Sequence, residues 1–189
     1  MWSVTAEGKK FVYEDMNMDA VCLKDIAHAL SYQCRYNGHC HLFYSTAEHS
    51  LNIASYILTK NENAKGAVKK KAQIQFKQAL LHDAAEAYVG DMPSPFKALM
   101  PDYDKYEKAL MSKIFTKYGL PAKLSPVIKE LDLRICLNEK NTLFPKSHPR
   151  WEIEDTIKPL EGVTILALTP MDVYKLYLSV LQAVFPGEE

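Results

Sequence analysis

Apolar residues recur at helical spacing in six stretches of this chain. The first runs from about Leu23 to Gln33, with Ile26 and Leu30 on one face, and Asn37-Gly38 marks a turn beyond it. The second opens at Ser45, where Ser45-x-x-Glu48 has the form of a capping box. Leu51, Ile53, Ala54, Ile57 and Leu58 follow at helical spacing, and Asn61, Asn63 and Gly66 end the element. A third helix is predicted from Val68 to Val89, with Ile74, Leu80, Leu81, Ala84, Ala85 and Tyr88 facing the core and Gly90 closing it. The fourth covers Asp102 to Tyr118, stopped by Gly119 and Pro121. The fifth covers Leu124 to Leu143, and the last runs from Met171 to Phe185 behind Thr169-Pro170. Between them, Met92 to Pro95 reads as a rigid loop and Pro145 to Pro159 as irregular chain. Val163 to Leu168 alternates weakly, as a short strand or an extended arm would. The pattern predicts an all-α single domain, a helical bundle with its core over about residues 25–144 and a C-terminal helix over about 171–185.

Composition narrows the function classes. The 189 residues carry 23 basic and 23 acidic side chains, a formal net charge of zero. Binding to duplex DNA through bulk positive charge is therefore disfavoured, and no nucleic-acid partner is expected. The run Lys69-Lys70-Lys71 reads as a solvated helix face. No apolar run approaches the roughly 20 residues that a membrane span needs, and the N-terminal stretch has no secretory h-region. A cytoplasmic protein without a membrane partner is expected, with Cys22, Cys34, Cys40 and Cys136 as reduced thiols.

Chemistry concentrates in Leu80-Leu81-His82-Asp83-Ala84-Ala85-Glu86. On a continuous helix His82 and Glu86 share a face, and Asp83 flanks it. Ionisable groups among so many apolar neighbours need either water or a strong compensator, because burying an unpaired carboxylate costs several kcal/mol. A solvated, idle stripe is one reading; a divalent metal is the other. His49 lies in the first turn of the second helix, and Asp132 lies among Leu131, Leu133, Ile135 and Leu137. One cation held by two histidines and two aspartates would unite all four, and such a donor set suits Zn, Mn, Fe, Co or Ni. His39-Cys40-His41 is a rival cluster, read more simply as a loop.

The order His49, His82-Asp83, Asp132 resembles that of the HD-domain metal-dependent phosphohydrolases. The strings YSTAEHS around His49 and LLHDAAEAYVGDMPSPFK from Leu80 sharpen the likeness. They are similar to the small deoxynucleotide-acting branch, which includes bacterial 5′-deoxynucleotidases and phage dATP triphosphohydrolases. The resemblance covers about Asp25 to Lys140 and the LTPMDVYKLYL tail. It implies an HD-domain helical bundle in which His49, His82, Asp83 and Asp132 hold the divalent ion. It further implies that Glu86 orients or deprotonates the attacking water, and that Asp91 meets a second, Mg-like ion or the leaving oxygen. Arg35, Lys97 and Lys129 would contact phosphate oxygens, with Tyr36 and Pro95 lining the nucleotide. Tyr36 stands where deoxyribose-selective members carry tryptophan.

The implied reaction is hydrolysis of the 5′-phosphate ester of a nucleotide. A dNMP would give nucleoside and phosphate; a dNTP would give nucleoside and tripolyphosphate. A non-catalytic, metal-containing nucleotide sensor and a helical interaction module are the alternative classes. The resemblance also implies a homo-oligomer, for which the Tyr- and Leu-rich last helix could serve as interface.

Overall fold

A computed structural model describes residues 1–188. The chain starts with an antiparallel hairpin of β1 (Trp2–Val4) and β2 (Lys10–Val12), in which Trp2 pairs with Val12. It continues through α1 (Leu23–Tyr32), α2 (Thr46–Lys60), α3 (Gly66–Leu81) and α4 (Glu86–Val89). Then come α5 (Ser94–Lys97), α6 (Pro101–Lys117), α7 (Pro126–Leu143) and α8 (Pro170–Val184). The all-α expectation holds, with the hairpin as a small addition whose Phe11 is fully buried.

α2 lies at the centre: it packs against α1, α3, α7 and α8, and α8 also packs along α1. The buried faces meet in one core that includes Ile26, Leu30, Ile53, Leu80, Ile135 and Leu181. Each such aliphatic side chain contributes about 1.5–3 kcal/mol relative to its exposed state. Tyr177 of α8 is buried too, and its hydroxyl donates to the Leu80 carbonyl near the end of α3. No helix among the described residues is long and apolar enough to cross a membrane.

The structure corrects the sequence reading at several points. α1 ends at Tyr32, before the predicted Gln33, and the following turn over Arg35–Gly38 carries Tyr36 and Asn37 with positive φ. The third helix is not continuous from Val68 to Val89. It stops at Leu81, and residues 82–85 form a tighter turn in which Ala84 donates to Leu81 and Glu86 to Asp83. The cause is local: the His82 ring takes up the Ala79 carbonyl at 2.8 Å, an acceptor that a longer α-helix would use. Ile74 faces solvent, 42 % exposed, instead of the core. Its place inward is taken by Gln75 and Gln78, and Gln78 donates to Pro121 and Lys123 carbonyls. The loop at Met92–Pro95 runs into a short helix, because Pro93 and Pro95 preset the backbone for a first turn.

Val163–Leu168 is an extended arm, not a strand. It is tied down by Glu48, which does not close the predicted capping box. Ser45 Oγ accepts from the Glu48 amide at 3.1 Å, as half of the box requires. The Glu48 carboxylate instead accepts the amides of Leu166, Ala167 and Leu168 at 2.9–3.1 Å. Glu48→Ala leaves three amides without their acceptor and is expected to cost about 2–4 kcal/mol in urea unfolding. A loss below 1 kcal/mol, on the order of an ordinary surface change, would contradict this role.

Candidate metal centre

α2 places His49 in its first full turn, fully buried. The Ser45 cap fixes where that turn begins and so where the ring points. The turn after α3 places His82 and Asp83, and α7 brings Asp132 across from the other side. His49, His82 and Asp83 each offer a ligand atom, and the three atoms lie within 4.8 Å of one another. His49 Nε2 stands 3.3 Å from His82 Nε2, 3.8 Å from Asp83 Oδ2 and 3.0 Å from Asp132 Oδ1. His82 Nε2 stands 3.3 Å from Asp83 Oδ2.

These atoms fit a cation. The Nδ1 of His82 points to the Ala79 carbonyl and the Nδ1 of His49 lies 2.6 Å from Glu139 Oε1. With both Nδ1 atoms donating, the two Nε2 atoms turn their lone pairs toward one another, an arrangement that repels unless positive charge lies between. Two ligands at about 2.1 Å from one ion stand roughly 3.0–3.4 Å apart, the spacing of three of the four contacts above. His49, His82 and Asp83 are thus a group that could hold a divalent metal, with Asp132 placed beside His49 at its edge. Asp132 keeps its side chain 37 % exposed, less enclosed than its apolar neighbours imply. His39 and His41 are exposed and join no ligand cluster among the described residues.

The acids around the centre divide into two kinds. Burial works against the charge on Asp132, but its hydrogen bond from His49 and the charges of His49, His82 and Arg35 hold it below the usual carboxylate range. Glu139 is buried completely, yet Arg35 and His49 pull its carboxyl down to about 2. Glu86 goes the other way: burial, then repulsion from Asp83 and Asp91, raises it well above the ordinary value. Its Oε2 is buried with no partner among the described residues, and its Oε1 lies 3.9 Å from Lys97 Nζ. Asp91 is also pushed up, first by burial.

The expected phosphate-binding residues differ in their surroundings. Arg35 lies mostly inside, its Nε 3.3 Å from Glu139 Oε2 and its Nη1 3.7 Å from Asp83 Oδ2. Tyr36 donates its hydroxyl to the same Glu139 oxygen. Lys97 is gripped by both oxygens of Glu107 at 2.7 Å. Lys129 and Pro95 are exposed, and neither is drawn into the polar contacts of the centre. The sequence reading missed Glu139 and Glu107. Glu139 did carry a signal, because it follows Asp132 by seven residues and so lies on the same stripe of α7. For Glu107, on the exposed-looking charged face of α6, the periodicity carries none.

Protons and metal compete for the Nε2 lone pair of His49. Burial and Arg35 oppose a positive ring, but Glu139 and the hydrogen bonds to Asp132 and Glu139 outweigh them and push His49 up to about 9. Below that pH a proton must leave before a cation binds, so metal affinity is lost as pH falls. The expected loss is about tenfold per unit between roughly pH 8 and pH 6. Co²⁺ titrations across that range check it; an affinity independent of pH would contradict it.

A helical bundle that gathers His, His-Asp and Asp around one point is the arrangement of an HD domain. The comparison with known families agrees: the HD domain family matches residues 37–133, just over half of the chain. The chain belongs to this family, whose members bind divalent metals and are in general hydrolases. Among its relatives is the uncharacterized protein YfdR of Escherichia coli, 33% identical over 174 residues, 92% of this chain and 90% of that protein. Another is an uncharacterized protein of Rhodobacter capsulatus, 31% identical over 131 residues, 68% of this chain and 63% of that one.

Proposed function

We propose that the protein hydrolyses the 5′-phosphate ester of nucleotides, of the deoxynucleotide class that the strings around His49 and His82 resemble. The observation that carries this reading is the pairing of two unlike features. One is a convergent His49, His82 and Asp83 set that fits a divalent cation; the other is a buried acid, Glu86, with an oxygen left free. A binding module has no need of an uncommitted, raised carboxyl beside its metal ligands. A hydrolase does, because such a group exchanges a proton with water and with the departing alcohol.

A divalent ion held by His49, His82, Asp83 and Asp132 would supply Lewis acidity toward a phosphoryl oxygen. Glu86 then works as base and acid in turn. Its Oε2 takes a proton from the water that attacks the α-phosphorus, and returns it to O5′ as the bond from phosphorus to O5′ breaks. Arg35, held between Glu139 and Asp83, presents guanidinium charge to the phosphate oxygens. Lys97 adds a second cation next to Glu86 once phosphate competes with Glu107 for it. Tyr36 and Pro95 flank the nucleotide, Lys129 adds long-range attraction from the surface, and Asp91 would hold a second, Mg-like ion or meet the leaving oxygen. The same bond is cut whether the α-phosphorus belongs to a monophosphate or a triphosphate. The protein works in the cytoplasm as a homo-oligomer in this reading.

Purified protein incubated with a panel of dNMPs and dNTPs plus Co²⁺ or Mn²⁺ tests it. Release of nucleoside with phosphate or tripolyphosphate is the expected result, and the inorganic product identifies the substrate. Tight nucleotide binding without nucleoside release would replace the reading with that of a sensor.

A further inference from the structure

We propose that Glu139 is a positioning residue that aims the metal ligand His49 with one oxygen and sets the substrate-side residues Arg35 and Tyr36 with the other. This deepens the reading of the site as a nucleotide phosphohydrolase and rests on it.

Glu139 is 0 % exposed, and a carboxylate so placed is tolerated only when its lone pairs are filled. All of its donors come from the site. Oε1 faces His49 Nδ1 at 2.6 Å. Oε2 accepts from Arg35 Nε at 3.3 Å and from the Tyr36 hydroxyl. These donors sit on different parts of the chain, His49 on α2 and the other two on the turn after α1, while Glu139 shares a stripe of α7 with Asp132. A carboxylate that merely filled a polar hole in the core would not need to gather its donors from the centre itself.

Two consequences follow from the geometry. An Nδ1–H held by Glu139 leaves Nε2 of His49 as the acceptor, and that atom is the one directed at His82 and Asp132. Tyr36 has φ 57° and ψ 30°, a left-handed backbone that is unfavourable for an aromatic residue. Its hydroxyl bond to Glu139, together with Phe144 at 5.1 Å on the ring edge, holds it there. Arg35 extends the same control to Asp83, since its guanidinium bridges Glu139 and Asp83. One buried carboxylate thereby orders a metal ligand on one side and the phosphate and sugar contacts on the other.

Glu139→Gln keeps the size but has a single accepting oxygen, so it can serve His49 or the Arg35–Tyr36 pair, not both. Co²⁺ affinity, read from the visible absorption of the bound ion, is expected to fall about 10–100-fold. KM for the best nucleotide of the panel is expected to rise, while kcat at saturating Co²⁺ recovers in part. Tyr36→Phe removes a donor on the substrate side alone. It is expected to raise KM and leave Co²⁺ affinity as in the wild type. A Glu139→Gln protein with a lowered Tm but wild-type Co²⁺ affinity and KM would overturn the proposal, leaving Glu139 as packing only. If Glu139→Gln does not fold, Tyr36→Phe decides: a raised KM supports the proposal and an unchanged one overturns it. A wild-type protein that binds Co²⁺ yet releases no nucleoside would overturn the hydrolase reading instead, and the Co²⁺ comparison would still decide the role of Glu139.

Discussion

Asp83→Ala is expected to lower kcat/KM by on the order of a thousandfold and to abolish tight binding of the divalent ion. Asp83 offers a carboxylate to both imidazoles, its Oδ2 3.3 Å from His82 Nε2 and 3.8 Å from His49 Nε2. Without it, the two imidazoles and a partly exposed Asp132 remain, a set with one carboxylate fewer to offset the ion's charge. The Lewis acidity lost is worth several kcal/mol, and each 1.36 kcal/mol is a factor of about ten in rate. Asp83 also sits 3.7 Å from Arg35, so the substitution removes one of the two anions that hold the guanidinium. Steady-state kinetics in saturating Mn²⁺, compared with the wild type, gives the answer. Retention of full activity would show that the chemistry does not depend on this cluster.

Glu86→Gln is expected to separate binding from turnover. The amide has nearly the same shape and can occupy the same buried position, but it cannot accept a proton from water or return one to O5′. A fall in kcat of about 10²–10⁴ is expected, with Co²⁺ affinity close to the wild-type value. The environment of Glu86 supports this sign. Burial, Asp83 and Asp91 raise its affinity for a proton, while Arg35 and Lys97 draw it down. The net direction is upward, so the Glu86 carboxyl holds a proton more tightly than an ordinary glutamate does. A variant that keeps more than about a tenth of the activity would remove Glu86 from the proton-transfer path.

The residues of the centre that could be read in the sequence are those whose chemistry conflicts with their surroundings. His82, Asp83 and Glu86 interrupt an apolar stretch, and Asp132 interrupts another, so each calls for either water or a partner. The structure brings His49, His82 and Asp83 into one group and sets Asp132 3.0 Å from His49. Periodicity also located the main helices, to within a residue or two at most ends, because one face of each is buried against α2 or its neighbours. What stayed hidden depends on contacts between distant segments. Glu139 is separated by 90 residues from His49, and its place on the Asp132 stripe of α7 says that it faces the centre but not which donors it serves. Glu48 looked like half of a capping box because the amides it serves, at residues 166–168, lie over a hundred residues away. The break after Leu81 was invisible for a different reason. A run of Leu and Ala favours continued helix, and only the hydrogen bond from the His82 ring to Ala79 changes the outcome.

Metal content measured directly is the decisive test of the centre. Protein stripped with a chelator, dialysed against Co²⁺ and analysed by elemental mass spectrometry is expected to hold a divalent ion in the His49–His82–Asp83 cluster, and X-ray absorption at the cobalt edge is expected to show two imidazole ligands. Protein that retains no cobalt, or cobalt whose absorption shows no imidazole scattering, would contradict the assignment of these side chains as its ligands.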